Sequence, residues 1–203
     1  MKHFLNVKWL FGFLILLLAT PSFALIDLRL TYGINTVNAN LSDLGAGDEP
    51  KPVPLTGLGG DFIFSPPLVP LGFGIRYEKM GAKAASDDFS VQMDMTRTAA
   101  IVNFRIIDTL IMVGPIFTFG LNHPNTFEVK NGSTTLAKFE SKKASSYSAG
   151  LEVGLKVPFL LGIELGYMSM TAKDAENKTT PTAAKEDIDL SGGYTKVFLG
   201  FGF

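Results

Sequence analysis

The stretch from Ile188 to Phe203 constrains the fold more than any other, because its apolar residues alternate with small or polar ones. One face carries Val197, Leu199, Phe201 and Phe203, and the other carries Lys196, Phe198, Gly200 and Gly202. A period of two is typical of a β-strand with one apolar face. At the edge of a soluble sheet such a strand would invite aggregation, whereas lipid solvates its apolar face in a closed transmembrane barrel. The segment therefore predicts the closing strand of a membrane barrel.

Seven further segments show the same alternation. The predicted strands are Leu25 to Asn35, Leu55 to Phe64, Leu71 to Glu78, a strand from about Val91 to Ile106, Ile111 to Leu121, Tyr147 to Val157 and Gly162 to Met168. Long polar loops and tight turns alternate between them, and aromatic residues fall toward the strand ends, as in outer-membrane barrels. The sequence predicts an all-β fold, an eight-stranded antiparallel up-and-down transmembrane β-barrel. A soluble sandwich or lipocalin-like barrel is the alternative, and in those folds the apolar residues would point inward and fill the core. The loop asymmetry, the export signal described below and the terminal Phe203 favour the barrel that faces lipid.

Three local features qualify the strand assignment. Val91, Met93 and Met95 lie on the opposite parity from the apolar residues that follow, which predicts a bulge or a register change near Thr96. Pro115 lies inside the fifth strand and is the poorest fit to it. In the loop from Asn122 to Ser145, the dipeptide Asn131-Gly132 predicts a two-stranded ribbon beyond the rim, with edges free to pair with a partner strand. A disordered polar loop is the alternative.

The amino terminus has the features of a secretory signal peptide. Lys2 and Lys8 precede an apolar run, and small residues stand at Ser22 and Ala24, which predicts cleavage after Ala24. Residues 1–24 are then the signal peptide and residues 25–203 the barrel domain. The alternative, a retained anchor helix, is disfavoured because the run is too short to span. The chain has no Cys, so neither a disulfide framework nor a lipoprotein is possible, and its net charge of −1 gives no case for nucleic acid.

The pattern of strands and loops resembles the small eight-stranded outer-membrane barrels of Gram-negative bacteria, the OmpA-transmembrane-domain, OmpX and OmpW type, although no subfamily motif is found. The last strand also resembles the carboxy-terminal signal of that family, which would be carried here by Val197, Leu199, Phe201 and Phe203. The resemblance implies an outer-membrane location with periplasmic termini. It implies as partners the membrane lipid, lipopolysaccharide and the barrel-insertion machinery, with the barrel as a monomer. It does not imply one activity, because such barrels include anchors, adhesins, narrow channels and lipid-modifying enzymes.

The predicted lumen face carries six cations and five carboxylates. They are Asp27, Arg29, Asp61, Arg76, Glu78, Arg97, Arg105, Glu152, Lys156, Glu164 and Lys196. Eight strands enclose only enough space for side chains, and buried charges must be paired, so we expect an ion-pair network that plugs the lumen. Turn geometry predicts Lys156 directly opposite Glu164. It also predicts Asp61 diagonal to Arg76. A narrow ion-conducting pore is the alternative, whereas a route for apolar ligands is disfavoured by the charge.

Catalysis, metal binding and cofactor binding have little support in the sequence. His123 is the only His outside the signal peptide. Lipid-A deacylase and palmitoyltransferase barrels use a His with a nearby Ser, but His123 is followed by Pro124 and Asn125, with no His-x-Ser pair. One His and no Cys make no metal-ligand set. We therefore expect a structural or surface-interaction protein without catalysis, cofactor or metal, with a narrow pore or a lipid-A-modifying enzyme as the alternatives.

Overall fold

The computed structural model describes residues 25–37, 53–66, 69–86, 89–179 and 185–202. Its strands are β1 Ile26–Val37, β2 Val53–Phe64, β3 Leu71–Ser86, β4 Phe89–Phe104, β5 Ile107–Asp108, β6 Ile111–Asn122, β7 Asn125–Asn131, β8 Thr134–Ser141, β9 Lys143–Lys156, β10 Leu160–Asn177, β11 Glu186–Asp189 and β12 Gly192–Gly202. The predicted signal peptide and Phe203 lie outside the described residues. No helix in these ranges is long and apolar enough to cross a membrane.

The strands form one closed antiparallel barrel. β12 pairs with β1 on one side and with β10 on the other, so the sheet joins its own ends. Eight walls result from the twelve strands because four walls each consist of two successive strands. β4 and β5 both pair with β6, β6 and β7 both pair with β4, β8 and β9 both pair with β10, and β11 and β12 both pair with β10. The predicted eight-stranded antiparallel barrel is confirmed.

Side chains alternate between the two faces of the wall as the period of two predicts. Along β1 every second residue is buried and the residues between them are exposed. The exposed face is apolar and ends in aromatic side chains at both rims. At the loop rim they are Tyr32, Tyr77, Phe119, Tyr147 and Tyr167, and at the tight-turn rim they are Phe64, Phe73, Phe104, Phe159 and Phe201. A barrel with its apolar residues outside and its charges inside is arranged for a lipid solvent.

The strands on the loop side run farther than the sequence pattern predicts. β3 continues to Ser86 and β10 to Asn177, into segments whose polar composition favours loops. The register change predicted near Thr96 is present on one side of β4 only. The ladder between β4 and β6 shifts register between Thr98 and Ala99, whereas β4 pairs with β3 without interruption along its whole length. Met93 and Met95 are buried inside the barrel, so the lumen face changes from polar to apolar there while the parity is kept.

Pro115 lies where its missing N–H does little harm to the sheet. β6 pairs with β5 up to Val113 and with β4 from Ile116 onward. The proline therefore falls in the gap between two ladders on that side of the strand. Proline is tolerated in a sheet at such irregular positions.

The predicted ribbon is confirmed, with its turn one residue later than expected. Asn131 pairs with Thr134, so Gly132 and Ser133 form a two-residue turn. Gly132 has a φ of 57°, and positive φ at the first central position is the property of a type II′ turn. One of the two expected free edges is wrong, because β7 pairs with β4 along its whole length. β8 pairs with β10 only at Phe139 and Glu140, and the earlier part of β8 pairs with β7 alone among the described residues. The ribbon therefore extends the barrel wall.

Candidate functional site

The lumen holds the charged side chains that the alternation places on the inner face. Ten of the eleven predicted lumen charges are buried, and the Lys156 side chain is 8% exposed. A further carboxylate, Asp108, joins them from β5. Sequence reasoning missed Asp108 because it lies in a segment whose pattern predicts a turn. With Asp108 the network has six cations and six carboxylates.

The central tier of this network crosses the lumen. Arg76 donates to both oxygens of Asp61 at 2.8 Å and to both oxygens of Glu164 at 2.9 and 2.6 Å. The Tyr194 hydroxyl donates to Glu164 at 2.7 Å. Asp61 and Arg76 are directly opposite each other on β2 and β3, so the predicted pair is confirmed although the diagonal geometry is not. β10 is four walls from β3 in a barrel of eight, so this tier joins opposite sides.

A second tier lies toward the loop side and is built around Glu78. Arg97 donates to Glu78 at 2.9 Å, and Lys196 binds the other oxygen of the same carboxylate. The remaining Arg97 donors bond Thr118 and Ser146, the latter at 2.9 Å. This tier therefore connects β3, β4, β6, β9 and β12.

A third tier closes the tight-turn side. Arg29 donates to Glu152 at 2.7 Å and to Asp27 at 3.2 Å, and Arg105 also binds Asp27. The amide of Asn103 donates to the second oxygen of Glu152 at 2.7 Å. This tier again joins walls that are not neighbours, since β1 and β9 do not pair.

The predicted pairing of Lys156 with Glu164 is wrong. The β9–β10 register places Glu164 opposite Glu152, because the connecting turn is only three residues long, from Val157 to Phe159. Lys156 instead binds Asp108. The β9–β10 register can place two glutamates opposite each other because each glutamate binds a different arginine. Glu152 binds Arg29, and Glu164 binds Arg76.

An apolar layer covers the charged tiers on the loop side. It comprises Val37, Leu55, Met80, Met93, Met95, Phe127, Phe139, Met168, Met170, Ala172, Ala175, Leu190 and Tyr194. Five of the seven methionines of the chain are in this layer, and Met fills irregular gaps well. The lumen is therefore charged on the tight-turn side and in its middle and apolar on the loop side, a change that the period of two does not predict. Tyr194 belongs to both layers, and a Cβ on Gly150 or Gly166 would lie only 2.4 or 2.7 Å from its hydroxyl.

His123 is buried inside the barrel rather than exposed on a loop. Its Nε2 lies 2.9 Å from the Ser146 hydroxyl, a partner 23 residues away that no local motif reveals. The same hydroxyl accepts a hydrogen bond from Arg97, and in the described structure Nδ1 of the imidazole has no hydrogen-bond partner. A Ser–His pair that acts as a nucleophile has a third group orienting the base. A guanidinium on the hydroxyl and no carboxylate on Nδ1 do not make that arrangement.

No set of three or more His, Cys, Asp or Glu side chains suited to a metal ion occurs in the part of the chain that the structure describes. The inward carboxylates are each bound to lysine or arginine, as the three tiers above show.

Comparison with solved structures agrees with this architecture. Neisserial surface protein A superposes with a TM-score of 0.53 and 12% sequence identity, over 88% of this chain and 97% of that chain. This is the fold of the small eight-stranded outer-membrane barrels. At such low identity the likeness concerns the fold alone.

Two other barrels match at lower scores. A major outer membrane protein from Thermus thermophilus has a TM-score of 0.49 at 12% identity, over 86% of this chain and 97% of that chain. Ail, the attachment invasion locus protein of Yersinia pestis, was solved with the heparin analogue sucrose octasulfate and has a TM-score of 0.49 at 13% identity, over 88% of this chain and 97% of that chain. No family model and no curated protein sequence matches the chain.

Proposed function

We propose that this chain is an integral outer-membrane barrel with a structural or surface-interaction role and a lumen plugged by ion pairs. The observation that carries the proposal is the central tier, in which Arg76 joins Asp61 to Glu164 across the full width of the lumen. A permeating ion would have to displace this arginine from two carboxylates. Removing one partner of a buried ion pair typically costs about 3–5 kcal/mol.

The layers on either side of the central tier support the same function. The Glu78 tier and the Arg29 tier each bridge walls that are not neighbours, so an opening would have to break all three tiers. The methionine-rich layer lies over them on the loop side. Apolar side chains packed across a pore oppose wetting, which is one way that channels are closed.

The proposed location is the outer membrane, reached by export and assembly. Residues 1–24 act as a signal peptide cleaved after Ala24, and residues 25–203 form the barrel. The machinery that inserts barrels reads the last strand through Val197, Leu199, Phe201 and Phe203. The first three of these side chains are exposed on the apolar outer face. The surrounding partners are the membrane lipid and lipopolysaccharide, and the barrel acts as a monomer without nucleic acid or cofactor.

A surface role without catalysis is proposed over enzymatic activity. His123 and Ser146 face the enclosed lumen, so a lipid substrate in the membrane would have no access to them. The name of Neisserial surface protein A places that barrel at a cell surface, and the shared fold supports the same position here. Lipid A from cells with and without the gene should have the same acylation pattern by mass spectrometry. A pattern that depends on His123 would overturn this part of the proposal.

Cell fractionation tests the location and gel mobility tests the closed barrel. The protein should fractionate with the outer membrane and migrate differently before and after boiling, because a closed hydrogen-bonded barrel resists detergent until it is heated. Recovery in the soluble periplasmic fraction would contradict the proposal.

A further inference from the structure

A patch of lysines stands on the outer wall at the loop side, on β9 and β10. Lys143 and Lys173 are directly opposite each other in the antiparallel register, and both are exposed. Lys142 precedes them and is exposed as well. Like charges directly opposite each other on one face of a sheet destabilise it unless another group compensates them. These three residues are the lysine patch.

The carboxylates around the lysine patch leave it largely uncompensated. The patch borders a depression of about 220 Å³ lined by five lysines and three carboxylates, so its surroundings are positive although the chain as a whole carries −1. Glu176 is bound by Lys178 and Lys185 at 2.7 and 2.8 Å. Asp174 reaches Lys143 only at 3.6 Å, with both side chains more than half exposed. Within the described residues, neither Lys142 nor Lys173 has a carboxylate within ion-pair distance.

The backbone of β10 bends where the lysine patch lies. The β10–β11 register shifts between Ala172 and Ala175, and Asp174 in between has a φ of 51°. Bulges of this kind re-aim side chains. Lys173 and Asp174 are consequently both exposed, although neighbours in a regular strand would point to opposite faces.

The height of the lysine patch matches the polar part of a membrane. Lys143 lies on the same outer face of β9 as Tyr147. It is four residues farther from the apolar belt, which corresponds to about 13 Å along the strand. Tyrosine at the end of an apolar belt marks the membrane–water interface. Between the tyrosine rim and the lysines, the outer wall carries the small hydroxyl residues Ser145 and Thr171, which are paired across the strands. A ligand between Tyr147 and Lys143 would meet hydroxyl donors below and ammonium groups above.

We propose that Lys143 and Lys173, with Lys142 beside them, bind phosphate groups of lipopolysaccharide in the outer leaflet. The inference rests on the proposed outer-membrane location and assigns the lipopolysaccharide contact to particular residues. A phosphate bridging the two opposed ammonium groups removes the like-charge repulsion of the empty pair. Lysine binds phosphate as a compact point charge. Each lysine near an anionic surface adds to the binding free energy, and the two lysines together change the affinity for the phosphates about 30-fold.

The test is binding of purified lipopolysaccharide to the refolded full-length barrel, followed by calorimetry. The variant is Lys143→Gln with Lys173→Gln. The matched control is Lys79→Gln with Lys83→Gln, which removes two exposed lysines from the outer face of β3 on the same side of the barrel. Both variants should keep the mobility shift on heating, because all four side chains are exposed.

The expected result is a loss of about 30-fold for the β9–β10 variant and a clearly smaller loss for the β3 control, because Lys79 and Lys83 are about 13 Å apart along one strand and do not share a phosphate. Wild-type protein should also lose affinity for lipopolysaccharide whose phosphates have been removed. Equal losses in the two variants, or equal binding of dephosphorylated lipopolysaccharide, would overturn the inference. A barrel that conducts ions but shows this binding pattern would refute the plugged lumen and would still support lipopolysaccharide binding at the lysine patch.

Discussion

Replacing Arg76 with Met tests the energetic role of the central tier. The arginine makes four charge-assisted hydrogen bonds, at 2.6 to 2.9 Å, to two carboxylates that are themselves fully buried. Met matches most of its volume but leaves Asp61 and Glu164 without their cation. Breaking a buried ion pair in this way typically costs about 3–5 kcal/mol. At a urea slope of about 2 kcal/mol per M, a loss of about 4 kcal/mol lowers the unfolding midpoint by about 2 M.

The measurement is reversible urea unfolding of the refolded barrel in lipid, followed by far-ultraviolet circular dichroism and by gel mobility. A triple variant serves as the control, with Asp61→Asn and Glu164→Gln added to Arg76→Met. It removes the uncompensated charges, so it should recover more than half of the lost stability. A single-variant loss below about 1 kcal/mol, or a triple variant as unstable as the single one, would refute the claim that the tier is held by paired charge.

Three further predictions address other parts of the barrel. Gly166→Ala should destabilise the barrel by about 1–3 kcal/mol in the same assay, because the new Cβ would lie 2.4 Å from the backbone oxygen of Ala149 and 2.7 Å from the Tyr194 hydroxyl. An unchanged unfolding midpoint would contradict the close packing. Hydrogen bonds from Lys178 and Lys185 lower the pKa of Glu176 to about 2. The small stabilisation that these two ion pairs give the fold is therefore complete above the ordinary carboxyl pKa and is lost as the pH falls toward 2. An NMR titration of Glu176 at low salt that shows an ordinary carboxyl midpoint would exclude these pairs. Backbone amides of β7 and β8 should exchange slowly with solvent while those of Gly132 and Ser133 exchange fast, and full exchange at the first time point would remove the ribbon.

The period of two is sufficient to predict the fold, because it fixes which face each residue occupies. It does not fix the register, which depends on turn length. Pairing Lys156 with Glu164 requires a longer turn, whereas the three-residue turn places Glu164 opposite Glu152. The error changes the partners of the charges and leaves their inward direction intact.

The loop side is the part that the sequence predicts least well, because its lumen face is apolar. Met93 and Met95 are apolar but still point inward like Arg97, the charged residue that follows them on β4. Their chemistry indicates a register change, and the structure has one only in the ladder to β6, between Thr98 and Ala99, while the ladder to β3 is regular. His123 and Ser146 lie on adjacent walls and are brought together by the register in which β6 pairs with β9. Neither periodicity nor spacing along the chain carries that information.

Planar-bilayer conductance tests the plugged lumen most directly. Refolded wild-type protein inserted into a planar bilayer should give no steady single-channel steps at moderate voltage, because three tiers of ion pairs and an apolar layer close the lumen. Insertion should be verified independently, by the heat-dependent gel mobility of protein recovered from the same lipid. Stable, reproducible conductance steps from the verified barrel would contradict the account and favour the narrow ion-conducting pore.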